Sequence, residues 1–375
     1  MIAALHLPRT LFAPGAIASL AGELHALGIR HALLVTDQGL VRVGLATKAL
    51  AAMGGAANTV VFDTVNENPT FADVDAGAAL YRQNGCDGVV ALGGGSVIDT
   101  AKMIALLGRN PGSASSYLGV PNATYGPAAP HIVIPTTAGT GSEVSASSGV
   151  HPDAHTPSLG INSRYLVPTV AILDPELTLS LPPRLTAATG IDALSHCIEG
   201  YLSCNDVFLA NAIALDGIGR VVRNIRRAVA DGSDAEARSE MMAAAYAGGV
   251  SIGMGLGPAH AIAITCSDQG FHHGVLSGIG LVATLDLVES RERERVRDVA
   301  RAFGLEPSAS LSRAIAELMR ELGLPSTLRE MGYAANDVGI LGDAAHRSHF
   351  NRSARYHPSS SEYAAIITAS LEQAP

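Results

Sequence analysis

"VVALGGGSVIDTAK", residues 89–102, decides how the chain is read. Its first part is an apolar, β-branched run of the kind a strand buried on both faces needs. Three glycines then turn the chain, and a helix is expected to open near Ser96. Backbone N–H groups left free by such a turn, together with the helix dipole, favour a phosphate. Tight strand-to-helix turns also use glycine for packing alone, and the spacing is not GxGxxG, so the ligand reading rests on what surrounds it.

Similar units flank it. "HALLVTD" (31–37), "NTVVFDTV" (58–65), "HIVIPTT" (131–137) and "TVAILDP" (169–175) read as strands, and "LVRVGLATKALAAMG" (40–54) and "TFADVDAGAALYRQNG" (70–85) as helices. Alternating strands and helices imply a parallel sheet with right-handed crossovers, and its ligands sit at the carboxyl ends of the strands. After "LSLPPRLTAATG" (179–190) strand-like runs cease and helical periodicity continues to the end. The expected organisation is an α/β domain over 1–180 and an all-helical domain over 181–375.

A second loop after a strand, "IPTTAGTGSE" (134–143), offers hydroxyl donors at Thr136, Thr137, Thr140 and Ser142, and its plainer reading is a Ser/Thr turn. Asp37, ending the first strand, is placed either to accept hydrogen bonds from a ribose diol, favouring NAD over NADP, or to cap a helix.

Composition narrows the partners. Of 375 residues, 47% are apolar and 16% charged, with a net charge of −9 and no basic stripe, which argues against nucleic acid. The mean hydropathy of +0.25 suits a well-buried globular protein. The charge-dense "ESRERERVRDVAR" (289–301) alternates sign and reads as a solvated helix. Cys86, Cys197, Cys204 and Cys266 are scattered without a CxxC pair, and "MIAALHLPRTLF" lacks the pattern of a signal peptide, so a cytoplasmic protein is expected. The uncharged stretch 241–264 is long enough to span a bilayer, but its glycines, Pro258 and His260 favour buried helices and no membrane partner.

"GIDALSHCIEGYLS" (190–203) places Asp192 and His196 four residues apart, on one face of a helix. His260 follows in an apolar helical stretch, and the pair His272–His273 after a short polar break. One carboxylate with these imidazoles suits Fe²⁺ or Zn²⁺ and leaves a position open for a substrate oxygen. Glu199 is placed on a neighbouring face, behind the ligands or at the surface. "HRSHFNRSARYHPSSSEY" (346–363) is rich in Arg and His. Its Arg352 and Arg355 are candidates for an anionic substrate tail, against the plainer reading of exposed arginines.

With "ENPT" (67–70), "CDGVVALGGGSVIDTAK" (86–102), "IPTTAGTGSE", "AILDPELTLSLPP" (171–183) and "TAATGIDALSHCIEGYLS" (186–203) in this order, the chain resembles the iron-containing (group III) alcohol dehydrogenase family over residues 5–330. The resemblance implies a Rossmann-like α/β domain and a helical domain in the dehydroquinate synthase-like architecture, with NAD(P) and a metal in a cleft between them. It implies Asp192, His196, His260 and His273 as metal ligands, His273 because the family's last ligand precedes glycine, as in "HHGV". For the cofactor it implies Asp37, Asn68, Gly94, Gly95, Ser96, Asp99, Thr136 and Thr137, with Thr140, Ser145 and Leu177 as weaker matches.

Two positions depart from the family. Ile264 stands where a histidine commonly follows the third ligand by four residues, and Ser158 where a lysine commonly contacts the nicotinamide ribose. The segment between His260 and His273 is also one residue shorter than usual. His272 is the expected substitute in the proton path. The implied activity is a metal-dependent, NAD(P)-linked alcohol dehydrogenase or aldehyde reductase, working as a homodimer on a primary alcohol or aldehyde, with an anionic tail as the charged variant. Alternatives are a maleylacetate reductase-like enzyme, against which the intact ligand set weighs, a sugar-phosphate cyclase, which needs more basic residues near the ligands, and a nucleotide- and metal-binding protein with reduced catalysis.

Overall fold

The computed structural model describes residues 5–54, 58–119, 125–154, 156–306, 308–335 and 337–372. Two units separate in it: an α/β unit, Leu5–Thr137 with Ser142–Ser180, and a helical unit, Ala138–Gly141 with Leu181–Pro375.

The strands of the α/β unit are β1 (Arg9–Phe12), β2 (Ala32–Val35), β3 (Thr59–Phe62), β4 (Gly88–Gly93), β5 (His131–Pro135), β6 (Ser147–Val150), β7 (Leu159–Asn162) and β8 (Val170–Leu173). Six of them form a parallel sheet in the order β1-β8-β5-β4-β2-β3, and β6 pairs antiparallel with β7. Every residue of β2, β4, β5 and β8 is buried, as strands covered on both faces must be. Leu34, Val90, Leu92, Ile132, Ile134 and Ile172 join Leu20, Ala49 and Leu177 in one core cluster. Each fully buried aliphatic side chain there contributes about 1.5–3 kcal/mol.

Helices α1 (Leu20–Ala26), α2 (Gln38–Arg42), α3 (Leu45–Ala52), α4 (Phe71–Gln83) and α5 (Gly95–Arg109) complete this unit. The chain runs from β2 out to β3, then returns to β4 on the other side of β2. This reversal between β2 and β4 is where an open parallel sheet receives its ligand. The helix expected over 40–54 is two helices, because Gly44 adopts φ +81 and closes the first of them. The β6–β7 ladder was not among the expected strands.

The helical unit contains α6 (Pro183–Tyr201), α7 (Phe208–Ala230), α8 (Ala235–Ile252), α9 (Pro258–Thr265), α10 (His273–Arg291), α11 (Arg293–Phe303), α12 (Leu311–Glu321), α13 (Leu328–Met331), α14 (Val338–Arg347) and α15 (Ser360–Glu372). From Thr186 to Tyr201 every residue of α6 is buried, with α7, α8 and α10 packed around it. The uncharged stretch 241–264 falls into α8 and α9, and among the described residues no helix is long and apolar enough to cross a membrane.

Candidate metal centre and cofactor loops

Three helices bring Asp192 and His196 (α6), His260 (α9) and His273 (the first residue of α10) together, each offering one donor atom within 4.8 Å of all the others. Donors that share one ion at about 2.0–2.2 Å stand about 3–4 Å apart, so the set fits a divalent cation. Asp192 Oδ1 lies 3.8 Å from His196 Nε2 and 4.0 Å from His273 Nε2, beyond hydrogen-bond reach of either. Both Asp192 Oδ1 and His260 Nε2 are buried with no protein partner. Buried polar atoms are rarely left unpaired, and an ion satisfies both.

Packing explains the convergence. A Cβ on Gly274 would fall 2.4 Å from Ala188 O and 2.8 Å from Asp192 Cβ, so only glycine lets α10 start against α6 and set His273 beside Asp192. Gly139 works in the same way, since its Cβ would meet Thr189 O at 2.4 Å. Held that close, Gly139 O receives His196 Nδ1 at 3.4 Å and leaves Nε2 for the cluster. The AGT of "IPTTAGTGSE", Thr140 included, therefore packs on the helical unit, while Thr136 and Thr137 stay with the sheet.

Electrostatics suit a cation. Burial opposes the Asp192 carboxylate, but His196, His273, His260 and His272 outweigh it and hold its pKa below the usual range. Burial pushes the imidazoles of His196 and His273 down, against the pull of Asp192, although 45% of the His273 side chain is exposed. Neutral imidazole and ionised carboxylate are the forms that ligate metal.

The neighbours bear on other expectations. His272 is the N-cap of α10, its Nδ1 accepting from Gly274 N–H at 3.1 Å. Ile264 is half-buried on α9, one turn beyond His260. Glu199 is buried and stands 2.6 Å from His260 Nδ1, so of its two expected places, behind the ligands or at the surface, it takes the first. Arg355 stands 3.6 Å from the exposed Asp206 and lines a small pocket with Glu199 and Leu285, while its Nε is buried without a protein partner. Arg352 is exposed in the turn His349–Arg352, and no described acidic group pairs with it. In that turn the Phe350 ring stands 5.5 Å from His260, and His349 is pushed down by burial and by Arg352 and His260.

In the α/β unit Asp37, Gly94, Gly95, Ser96, Thr136 and Thr137 lie at the carboxyl ends of neighbouring strands β2, β4 and β5. Asp37 follows β2 and caps α2, Oδ1 accepting from Leu40 N–H at 3.0 Å, so its capping role is realised. Gly94 precedes α5 as an N-cap without a side chain, leaving the amides of Gly95 and Ser96 in an open first turn. A Cβ on Gly94 would lie 3.2 Å from Thr137 Cγ2, which puts the turns after β4 and β5 side by side, and Thr136 N–H donates to Gly93 O at 3.0 Å. Ser96 Oγ donates to Glu67 O and ties the neighbouring, exposed Asn68 to this turn.

Two expected residues serve a buried lysine. Lys102 Nζ, fully buried, donates to Ser147 O at 2.7 Å and Ser145 Oγ at 3.2 Å and lies 3.5 Å from Asp99 Oδ1. Asp99 Oδ2 also accepts from Gly149 N–H at 2.8 Å. Burial raises the pKa of Asp99, lowers that of Lys102, and lifts nearby Glu143 to about 7. A Cβ on Gly149 would stand 3.9 Å from Ser158 Oγ, so Ser158 borders the same ladder. Leu177 is 1% exposed, its side chain inside the core. Lys102 was not expected at all; its place seven residues after Gly95, on the face α5 turns inward, was the available signal.

A four-donor Asp/His centre in a helical unit and glycine and threonine turns on a parallel sheet are what an enzyme that uses a metal and a dinucleotide needs. The family model "Iron-containing alcohol dehydrogenase" matches residues 8–175, and "Fe-containing alcohol dehydrogenase family, C-terminal" matches 186–371. The chain belongs to the iron-containing alcohol dehydrogenase family. It is 40% identical over 352 residues to a 4-hydroxybutyrate dehydrogenase of Cupriavidus necator, covering 89% of this chain and 92% of that one. Among solved structures it resembles a 1,3-propanediol oxidoreductase (TM-score 0.93, 31% identity, 99% and 100% of the two chains). It also resembles the sulfoacetaldehyde reductase of Bifidobacterium kashiwanohense solved with NAD⁺ (TM-score 0.90, 28% identity, 100% of both chains).

Proposed function

We propose that the chain interconverts a small primary alcohol and its aldehyde with NAD as hydride carrier, and that the preferred substrate carries an acidic group at its far end. The observation that carries the reaction is the unpartnered pair of buried atoms, Asp192 Oδ1 and His260 Nε2, inside a cluster with two neutral imidazoles. When bound, the ion supplies Lewis acidity toward the substrate oxygen and the nicotinamide carries the hydride.

The protein's own groups do the rest. Asp192, His196, His260 and His273 hold the ion, and the open turn at Gly94–Ser96 with Thr136 and Thr137 takes the pyrophosphate. Asp37 repels a 2′-phosphate, which favours NAD over NADP. His272, whose Nδ1 already accepts a hydrogen bond, carries its hydrogen on Nε2 and serves as the proton carrier in place of the residue at Ile264. The acidic tail is supported by the unpaired Arg352 and by His349 beside it, in the turn that also lays Phe350 against His260. The names of two relatives, a 4-hydroxybutyrate dehydrogenase and a sulfoacetaldehyde reductase, agree with it. The free thiols support a reducing, cytoplasmic setting, and edge strand β1 with exposed Leu7 and Phe12 nearby supports a homodimer. The charge of −9 supports the absence of a nucleic-acid partner.

Elemental analysis followed by NADH and NADPH oxidation against butanal and 4-oxobutanoate tests the reading. Activity should vanish on chelation and return with Fe²⁺ or Zn²⁺. The acid should be favoured in kcat/KM by about tenfold or more, worth about 1.4 kcal/mol, and Arg352→Ala should abolish that preference while sparing butanal. Full activity without metal would sink the reaction, and preference for butanal would sink the acidic tail.

A further inference from the structure

Asp192, His196 and Glu199 follow one another on α6 at spacings of four and three residues. At about 100° per residue, Glu199 returns to within about 20° of Asp192 around the helix axis. One buried stripe of α6 thus carries two groups of the four-donor cluster and a further carboxylate outside it.

That carboxylate is fully engaged with the start of α9. Glu199 Oε1 accepts from Ala259 N–H at 2.8 Å, and Oε2 accepts from His260 N–H at 3.1 Å. Oε2 also stands 2.6 Å from His260 Nδ1. Gly257, the N-cap of α9, has no side chain to satisfy the first-turn amides, so Glu199 does so from another helix. A Cβ at Gly257 would come within 3.0 Å of Oε1. A carboxylate only accepts, so the ring hydrogen of His260 belongs on Nδ1 and Nε2 keeps its lone pair. Nε2 is the buried atom without a protein partner. The His196 ring, stacked at 4.9 Å, and the Phe350 ring at 5.5 Å flank the imidazole.

We propose that Glu199 is a positioning residue. By joining Nδ1–H to the first turn of α9, it fixes the tautomer and the direction in which His260 Nε2 meets the ion, and so sets ion affinity. The inference rests on the reading that Asp192, His196, His260 and His273 hold that ion. Partners of this kind, behind a ligating imidazole, are worth about 10–100-fold in metal affinity.

The test titrates Co²⁺ into metal-free protein against a competing chelator and records the visible absorption of the bound ion. Wild type, Glu199→Gln, His260→Gln and the double variant are compared. Glu199→Gln should bind NADH as wild type does, bind Co²⁺ about 10–100-fold more weakly, and shift the absorption band. In the His260→Gln background the same change should cost less than about twofold, because its route to the ion is gone. An unchanged affinity for Glu199→Gln overturns the proposal, and so does an equal loss in both backgrounds, which would mark a helix cap and nothing more. Should Glu199→Gln not fold, Glu199→Asp, shorter by one methylene but still charged, is read by the same criteria. Failure of the underlying reading looks different: wild-type protein would not bind Co²⁺, or His260→Gln would leave its binding unchanged.

Discussion

At the metal centre side chains from three helices converge on a point, whereas at the turn after β4 the groups left open are backbone amides bared by glycine. The first site is costly to assemble, because Asp192 and His260 each bury a polar atom that nothing in the protein satisfies. The second costs the fold little, since an open first turn remains hydrated until a phosphate arrives. A substitution at the centre should therefore act on the ion itself, and one at the turn on cofactor affinity.

Asp192→Asn probes the first half of that contrast with the largest effect. Removing the only carboxylate of the four-donor set should lower bound metal below about a tenth of an equivalent and reduce turnover by about 10³-fold, or about 4 kcal/mol. Elemental analysis and kcat measure both. Retained metal with retained turnover would break the comparison at its stronger end.

The glycines separate packing from recognition. Gly139→Ala drives a Cβ to 2.4 Å from a backbone oxygen, so it should cost about 2–3 kcal/mol and lower Tm by roughly 5 °C or more. It also displaces the carbonyl that holds His196 Nδ1, so metal should be lost with stability. Gly94→Ala meets the Thr137 side chain, its methyl at 3.2 Å and its hydroxyl at 3.4 Å. Its stability should change by about 0.5 kcal/mol, while KM for NADH rises by about tenfold. Equal behaviour of the two variants in calorimetry and NADH titration would remove the distinction.

Glu143 gives the comparison a pH axis inside the α/β unit. Its carboxyl is buried and lifted to about 7, chiefly by desolvation, so the folded state holds a proton that the unfolded chain releases near its ordinary value. Stability is then highest below the unfolded pKa, falls as pH rises through the folded one, and levels off above it. The cost is on the order of 2–3 kcal/mol at pH 8 relative to pH 4.5. Glu143→Gln should flatten this slope and be the more heat-stable protein at pH 8. An unaltered difference in Tm between pH 5.5 and 8 would show that Lys102 keeps Glu143 ionised.

Legibility in the sequence followed the same division. Strands β2, β4, β5 and β8 declare themselves because both faces are buried and the residues are aliphatic. Ser147–Val150 and Leu159–Asn162 do not, since SSGV and LGIN lack the β-branched composition that marks a strand. Residues 40–54 keep a helical period across a break that only the left-handed Gly44 makes. Asp192 and His196 are readable from spacing alone, but the approach of His260 and His273 depends on packing between helices, which glycines such as Gly274 permit without announcing it.

The smallest effect belongs to His272, where one side chain serves both kinds of site. Its Nδ1 caps α10 as a local structural acceptor, and its Nε2 is the proposed proton carrier beside His273. Alanine removes both functions and cannot tell them apart. Asparagine, among the best N-caps, restores the acceptor for Gly274 N–H but carries no exchangeable imidazole proton. His272→Ala should lose about 1 kcal/mol in unfolding free energy, and His272→Asn only a few tenths. If the proton carrier is His272, both variants lose kcat alike while KM for NADH and bound metal stay put. If kcat follows stability, so that asparagine restores it, His272 acts on the reaction only by seating His273 at the start of α10, and water moves the proton past Ile264.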